Sequence, residues 1–154
     1  MSEKKNIDDI PDSVPVDLGV EPNLATKHLG TFAGSEKIYV NIDYVQPGAK
    51  SAKYHSHSLQ EEFFLILKGS GILRAREQFI PVKKGDFFAK PAGRGIAHQF
   101  INNSNEMLQI LDVGLNDKDD TIEYPDEDVL LIKNKGLAFN LSENIEDWSS
   151  DPNH

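Results

Sequence analysis

From Lys27 to Ile132 the chain reads as short apolar runs bounded by Gly, Pro or Asn: KHLGTF, KIYVNIDYV, FFLIL, GILRARE, QFIPV, DFFAK, HQFIN, MLQILDV and DVLLI. Runs of this length, with turn signals between them, predict strands packed into a sandwich or barrel, so the fold class is all-β. FFLIL is too short for a typical helix and apolar throughout, which suits a strand buried on both faces. In IYVNIDYV, Ile38, Val40, Ile42 and Tyr44 alternate with Tyr39, Asn41, Asp43 and Val45. One side is apolar and the other mostly polar, the pattern of a half-exposed strand. Pro47 and Gly48 then turn the chain. After Gly69, Ile72, Arg74 and Arg76 alternate with Leu73 and Ala75, and the pattern leaves open which face looks inward.

The flanks differ in texture. The first 25 residues hold three prolines and six acids with no sustained apolar period, so residues 1–26 read as an extended arm ahead of a barrel over 27–134. Residues 135–154 form a tail whose aromatic, Trp148, is expected to pack on the barrel. Residues 116–128 hold seven acids in thirteen positions. They lack the glycine and closing glutamate of a calcium-binding EF-hand loop and are read as a solvated acidic loop.

Composition narrows the chemistry. A chain of 154 residues suits one domain. The absence of cysteine excludes disulfides, thiolate nucleophiles and iron–sulfur clusters, leaving His, Asp and Glu as metal donors. No stretch approaches the roughly 20 apolar residues of a membrane span, and no signal-peptide core is present, so a cytoplasmic protein is expected. A formal charge of −9 disfavours nucleic acid and anionic lipid as partners.

The donors cluster just ahead of FFLIL. His55 and His57, two apart on an extended segment, project from one face and can converge on one ion. A carboxylate, Glu61 or Glu62, follows. His98, in phase with Phe100 and Asn102 after the PAGRG loop, is a third imidazole. Lys53 is in phase with the histidine pair, Tyr54 is out of phase, and Arg74, Arg76 and Arg94 could clamp a carboxylate. All five are read as surface residues rather than catalytic ones.

These residues resemble the two motifs of the cupin family of small metal-binding β-barrels. Gly48, His55, His57, Glu62 and Gly69 fit the first, with four residues before the glutamate and six after it. Gly85, Pro91, Gly93, His98 and Asn102 fit the second, with a gap of four residues between Gly93 and His98 where two is commoner. The resemblance implies a double-stranded β-helix, or jelly-roll, barrel. It also implies one divalent transition metal, such as Mn, Fe, Ni or Zn, held by His55, His57, Glu62 and His98 with open coordination positions. Glu62 rather than Glu61 is the ligand on motif spacing, and strand phase agrees, since Phe64 and Ile66 then face the cavity along with Phe100. Ligation by neutral imidazole predicts weaker metal binding below about pH 6.5. The implied function is a small-molecule-binding metalloprotein acting on an organic acid or a sugar-like ligand. As an enzyme it would be an oxygenase, isomerase or decarboxylase. The alternative is a non-catalytic metabolite or metal sensor. Because Phe63, Leu65 and Leu67 point outward in this register, a homodimer that covers them is expected.

Overall fold

A computed structural model describes residues 3–11 and 23–152. It contains twelve strands and one short α-helix. The strands are β1 (Leu24–His28), β2 (Ile38–Val45), β3 (Ser56–His57), β4 (Glu62–Lys68), β5 (Ser70–Ala75), β6 (Gln78–Lys83), β7 (Phe87–Lys90), β8 (His98–Ile101), β9 (Leu108–Leu115), β10 (Thr121–Tyr124), β11 (Val129–Ile132) and β12 (Leu137–Asn140), with α1 over Leu29–Ala33. They form three sheets, ordered β1-β2-β9-β4-β7, β12-β11-β10-β3 and β6-β5-β8, with every pairing antiparallel. Isolated bridges join Lys50 to Ile101 and His55 to His98, tying the histidine segment to β8. The result is the all-β barrel that the sequence pattern predicts.

The core is filled by Val45, Phe64, Ile66, Leu73, Val82, Phe100, Leu108 and Ile110. Each such side chain contributes about 1.5–3 kcal/mol by leaving water. In β4 the buried residues are Glu62, Phe64 and Ile66, so the strand has the expected register. In β5 it is Gly71 and Leu73 that are buried, which settles the face left open above. Arg76 and Glu77 both have positive φ, at 50° and 58°, as a two-residue hairpin of the type that matches strand twist requires. Gly69, at φ 79°, passes so close to the neighbouring chain that a Cβ there would lie 2.5 Å from the Met107 carbonyl oxygen.

Several expectations are corrected. KHLGTF is not one strand: β1 ends at His28 and the chain coils into α1, where Gly30 packs so tightly that a Cβ would meet Val40 N at 2.7 Å. Because β1 starts at Leu24, strand pairing begins ahead of residue 27, where the barrel is expected to start. Ile10, within the expected arm, is buried, and Lys27 Nζ donates to the Ile7 carbonyl at 3.2 Å; residues 12–22 of that arm lie outside the described residues. The acidic stretch is not all loop, since it contributes β10, paired with both β3 and β11. Leu137–Asn140 of the tail forms β12 against β11, whereas Trp148 is 72% exposed.

The polar side of β2 is the largest surprise. Tyr39, Asn41 and Asp43 line an internal cavity rather than facing solvent, while Ile42 on the other side is buried outside the barrel wall. The alternation was real, but hydrophobic periodicity carries no information about which face looks inward when the interior itself is polar.

Candidate metal centre and its cavity

The cavity, of about 290 Å³, is lined on one wall by Tyr39, Asn41 and Asp43 of β2, Glu62 and Phe64 of β4, and Ile110 and Asp112 of β9. The facing wall brings His55, His57, His98 and Phe100. Phe64 and Phe100 therefore line it as expected, while Ile66 lies deeper in the core.

The topology delivers the four expected ligand residues to one place. His55 and His98 are held opposite each other by a reciprocal pair of backbone bonds, His55 N–H to His98 O at 3.2 Å and His98 N–H to His55 O at 2.9 Å. His57 lies on β3 opposite Ile122 of β10, and Glu62 opens β4 between β7 and β9. Donor atoms of His55, Glu62 and His98 lie within 4.8 Å of one another. His57 stands just outside that group, with its Nε2 3.4 Å from Glu62 Oε1 and its ring centroid 4.8 Å from that of His55. Glu61 is exposed, away from the cluster.

The hydrogen bonds fix which ring nitrogens are free. His55 Nδ1 lies 2.7 Å from the Lys53 carbonyl oxygen, which can only accept, so Nδ1 carries the proton and Nε2 has the lone pair. His57 Nδ1 likewise donates, to Asp120 Oδ2 at 2.6 Å. Asp120 is fully buried and also accepts from Leu59 N–H at 2.8 Å and from the Ser58 hydroxyl at 3.0 Å. Burial pushes its pKa up, but the Leu59 bond and the His57 contacts outweigh this and hold it below the usual carboxylate range. Carboxylate behind histidine is the arrangement that orients a metal ligand and raises its basicity.

His98 differs. Its Nδ1 meets Lys90 Nζ at 2.8 Å, and the same ammonium lies 2.5 Å from Glu62 Oε2. Glu62 Oε2 is buried with Lys90 as its ion-pair partner, and a carboxylate oxygen, with more than one lone pair, retains capacity for a further contact. The contact between His98 Nδ1 and Lys90 Nζ holds a single proton, and burial lowers the Lys90 pKa against the opposing pull of Glu62. Burial also lowers the pKa of His55, to about 4, and that of His98 well below the ordinary imidazole value. For Glu62, burial acts upward, yet the neighbouring His57 and the Lys90 charge prevail and keep it ionised. Two imidazoles with oriented lone pairs, a third beside a lysine, and an ionised carboxylate with an unspent oxygen fit a divalent transition metal.

Behind Glu62 lies a polar relay. Tyr39 Oη is 2.9 Å from Glu62 Oε1 and 2.9 Å from Asp112 Oδ1. Gln60 Nε2 donates to Glu62 Oε1 at 3.1 Å and reaches Tyr39 Oη at 3.4 Å. The Thr26 hydroxyl donates to Asp43 Oδ1 at 2.6 Å.

None of Lys90, Asp120, Tyr39, Gln60, Asp43 or Asp112 was singled out from sequence as a site residue. Lys90 had a signal, since it is in phase with the inward Phe88 on β7, but Asp120 sat unmarked in an acidic run. The cationic candidates lie elsewhere. Arg74 holds Asp126 through two contacts, at 2.6 and 3.0 Å, and stacks over Tyr54 at 3.8 Å, while Lys53 pairs with Glu127 at 3.4 Å. Neither Arg76 nor Arg94 lines the cavity. Asn102 is fully buried but serves the fold, donating to Val45 O at 2.8 Å and Glu106 O at 2.7 Å.

Comparison with known proteins follows the same lines. Residues 42–114 match the family described as the cupin domain. Among solved structures, a sugar phosphate isomerase of the cupin superfamily from Silicibacter pomeroyi DSS-3 is 27% identical, with a TM-score of 0.81 over 97% of this chain and 98% of that one. A suggested sugar phosphate isomerase from Acidithiobacillus ferrooxidans ATCC 23270 is 26% identical, with a TM-score of 0.77 over 82% of this chain and 81% of that one. An oxalate decarboxylase by prediction, from Thermotoga maritima, shares the fold at 21% identity and a TM-score of 0.60, over 71% of this chain and 96% of that one. No curated protein matches the sequence. Among the described residues no helix is long and apolar enough to cross a membrane.

Proposed function

Since residues 42–114 form a cupin domain, we propose that the chain is a metal-dependent isomerase of small sugars or sugar phosphates, with the metal held by His55, His57, Glu62 and His98. The observation that carries this reading is the convergence of these four side chains on one cavity that also presents two further carboxyl groups, Asp43 and Asp112. The near full-length likeness to the Silicibacter protein supports the substrate class.

A divalent ion at this site supplies Lewis-acid polarisation of a carbonyl and a template for two adjacent oxygens. The chain's own residues do the rest. Asn41, Asp43 and Asp112 offer hydrogen-bonding partners to hydroxyl groups, and Phe64, Phe100, Ile110 and Ile122 exclude water around them. The lining contains no arginine or lysine, so the carbonyl and hydroxyl end of the substrate enters while a phosphate stays outside the carboxylate-lined wall.

Metal-loaded protein incubated with a panel of aldose and ketose phosphates in deuterated water tests this. Interconversion of one pair, with deuterium entering the carbon next to the carbonyl, is the expected result. Tight binding of a panel member without turnover would overturn the isomerase and leave a sensor.

A further inference from the structure

Tyr39 has one hydroxyl proton, yet its oxygen lies 2.9 Å from two carboxylate oxygens, Glu62 Oε1 and Asp112 Oδ1. Two hydrogen bonds at that distance need two protons, and the phenol supplies one. The second must sit on a carboxyl group. Glu62 is not its place, because Lys90 Nζ lies against Oε2 and Gln60 already donates to Oε1. Asp112 is the remaining carrier. The chain of donors then runs from the Asp112 O–H to Tyr39 Oη, and from the Tyr39 O–H to Glu62 Oε1. Gln60 Nε2 can also donate to the phenol oxygen.

Asp112 is not alone on its wall. On the paired strands β2 and β9 it stands opposite Asn41, with Asp43 two residues along on the same face. Such diagonal positions are about 7–8 Å apart, room for a small molecule between the two groups. Both carboxyl groups line the cavity. The groups that face Asp112 are Tyr39 and Asp43 from β2, Glu62 from β4 and Lys90 from β7. Asp43 is raised by burial, but the Thr26 hydroxyl bond stabilises its ionised form. The hydroxyl donor on Asp43 and the proton that Tyr39 requires on Asp112 give the two groups different roles, Asp43 as base and Asp112 as acid.

We propose that Asp112 is a neutral carboxylic acid at physiological pH and the cavity's proton donor, with Asp43 as its partner base. The proposal rests on the isomerase reading. The Asp112 O–H turns from Tyr39 Oη to the substrate carbonyl oxygen, and its bond breaks as the proton passes across. The C–H bond of the adjacent hydroxyl-bearing carbon breaks as Asp43 takes that proton, and its electron pair becomes the C=C bond of an enediol. Asp43 then returns its proton to the former carbonyl carbon, the other hydroxyl gives its proton to Asp112, and both side chains end as they began. Burial, with the charges of Glu62 and Asp43, pushes the Asp112 pKa up to about 8, which keeps the proton in place at neutral pH.

Infrared difference spectra of the full chain test the protonation directly. Wild type at pH 7 is expected to show the C=O stretch of a protonated carboxylic acid that fades as pH rises through about 8. The band should be absent from Asp112→Asn and present in Asp43→Asn. Absence of the band from wild type, or its survival in Asp112→Asn, overturns the assignment. Should Asp112→Asn not fold, Tyr39→Phe removes the acceptor of the Asp112 proton and should shift the titration of the band; an unmoved titration overturns the relay. With a substrate pair in hand, Asp112→Asn should lower kcat about 10²-fold or more at unchanged metal content. Full activity of that variant overturns the catalytic role while the isomerase reading stands. An inactive wild type overturns both the reading and the catalytic role, and leaves the protonation to be judged by the spectra.

Discussion

His57 Nδ1 lies 2.6 Å from Asp120 Oδ2, a buried contact between β3 and the residue that precedes β10. Removing the carboxylate charge while keeping the shape, as in Asp120→Asn, should weaken metal binding about 10–100-fold. Competition with a chelator measures this. A variant that binds metal as tightly as wild type would show that His57 is oriented by its strand alone.

Purified protein should carry about one divalent transition metal per chain, lost in Glu62→Gln and retained in Glu61→Gln. Elemental analysis of the three proteins, prepared alike without chelator, decides it. Glu61 is exposed, whereas Glu62 Oε2 is buried beside Lys90, so the reverse outcome would contradict the register of β4.

Acid should destabilise the metal-free protein. His55 and His98 have folded pKa values below the ordinary imidazole value because burial disfavours their charged forms. The unfolded chain therefore binds more protons as pH falls, and stability is full above about pH 6.5 and lost progressively from there toward pH 4. Since the same shift delays protonation of the site, metal release should begin at lower pH than the value of about 6.5 expected from an unperturbed imidazole. Denaturant midpoints across this range check the sign, and a flat profile would contradict it.

The outer face of β4 and β7 should mediate association. Phe63 and Phe87 stack with centroids 6.1 Å apart while remaining 40% and 67% exposed, and Ile38 and Leu115 extend the same apolar surface. Among the described residues nothing covers them. We expect a homodimer at tens of micromolar in sedimentation, converted to monomer by Phe63→Glu with Phe87→Glu.

Much of this was legible in the sequence because it depends on period and spacing. Alternation placed Glu62, Phe64 and Ile66 on one face, and the motif glycines marked turns at Gly48 and Gly69. What remained hidden depends on which distant strand lies alongside. Tyr39, Asn41 and Asp43 read as a solvent face because a polar interior and a polar exterior write the same pattern. Asp120 differs from its acidic neighbours only through the Leu59 and Ser58 donors it meets. Lys90 is an unremarkable lysine until β7 is set beside β4, where it stands opposite Glu62.

The backbone pair between His55 and His98, together with His57 opposite Ile122 and Glu62 opposite Gly114, has a kinetic meaning. His55, His57 and Glu62 lie in one short stretch, but His98 joins them only once the intervening loop has closed and its backbone pair with His55 has formed, so the full set of four is a late product of folding. The stabilisation that a metal held by the full set would add falls on the native side of the barrier, where it would slow unfolding and leave the folding rate nearly unchanged.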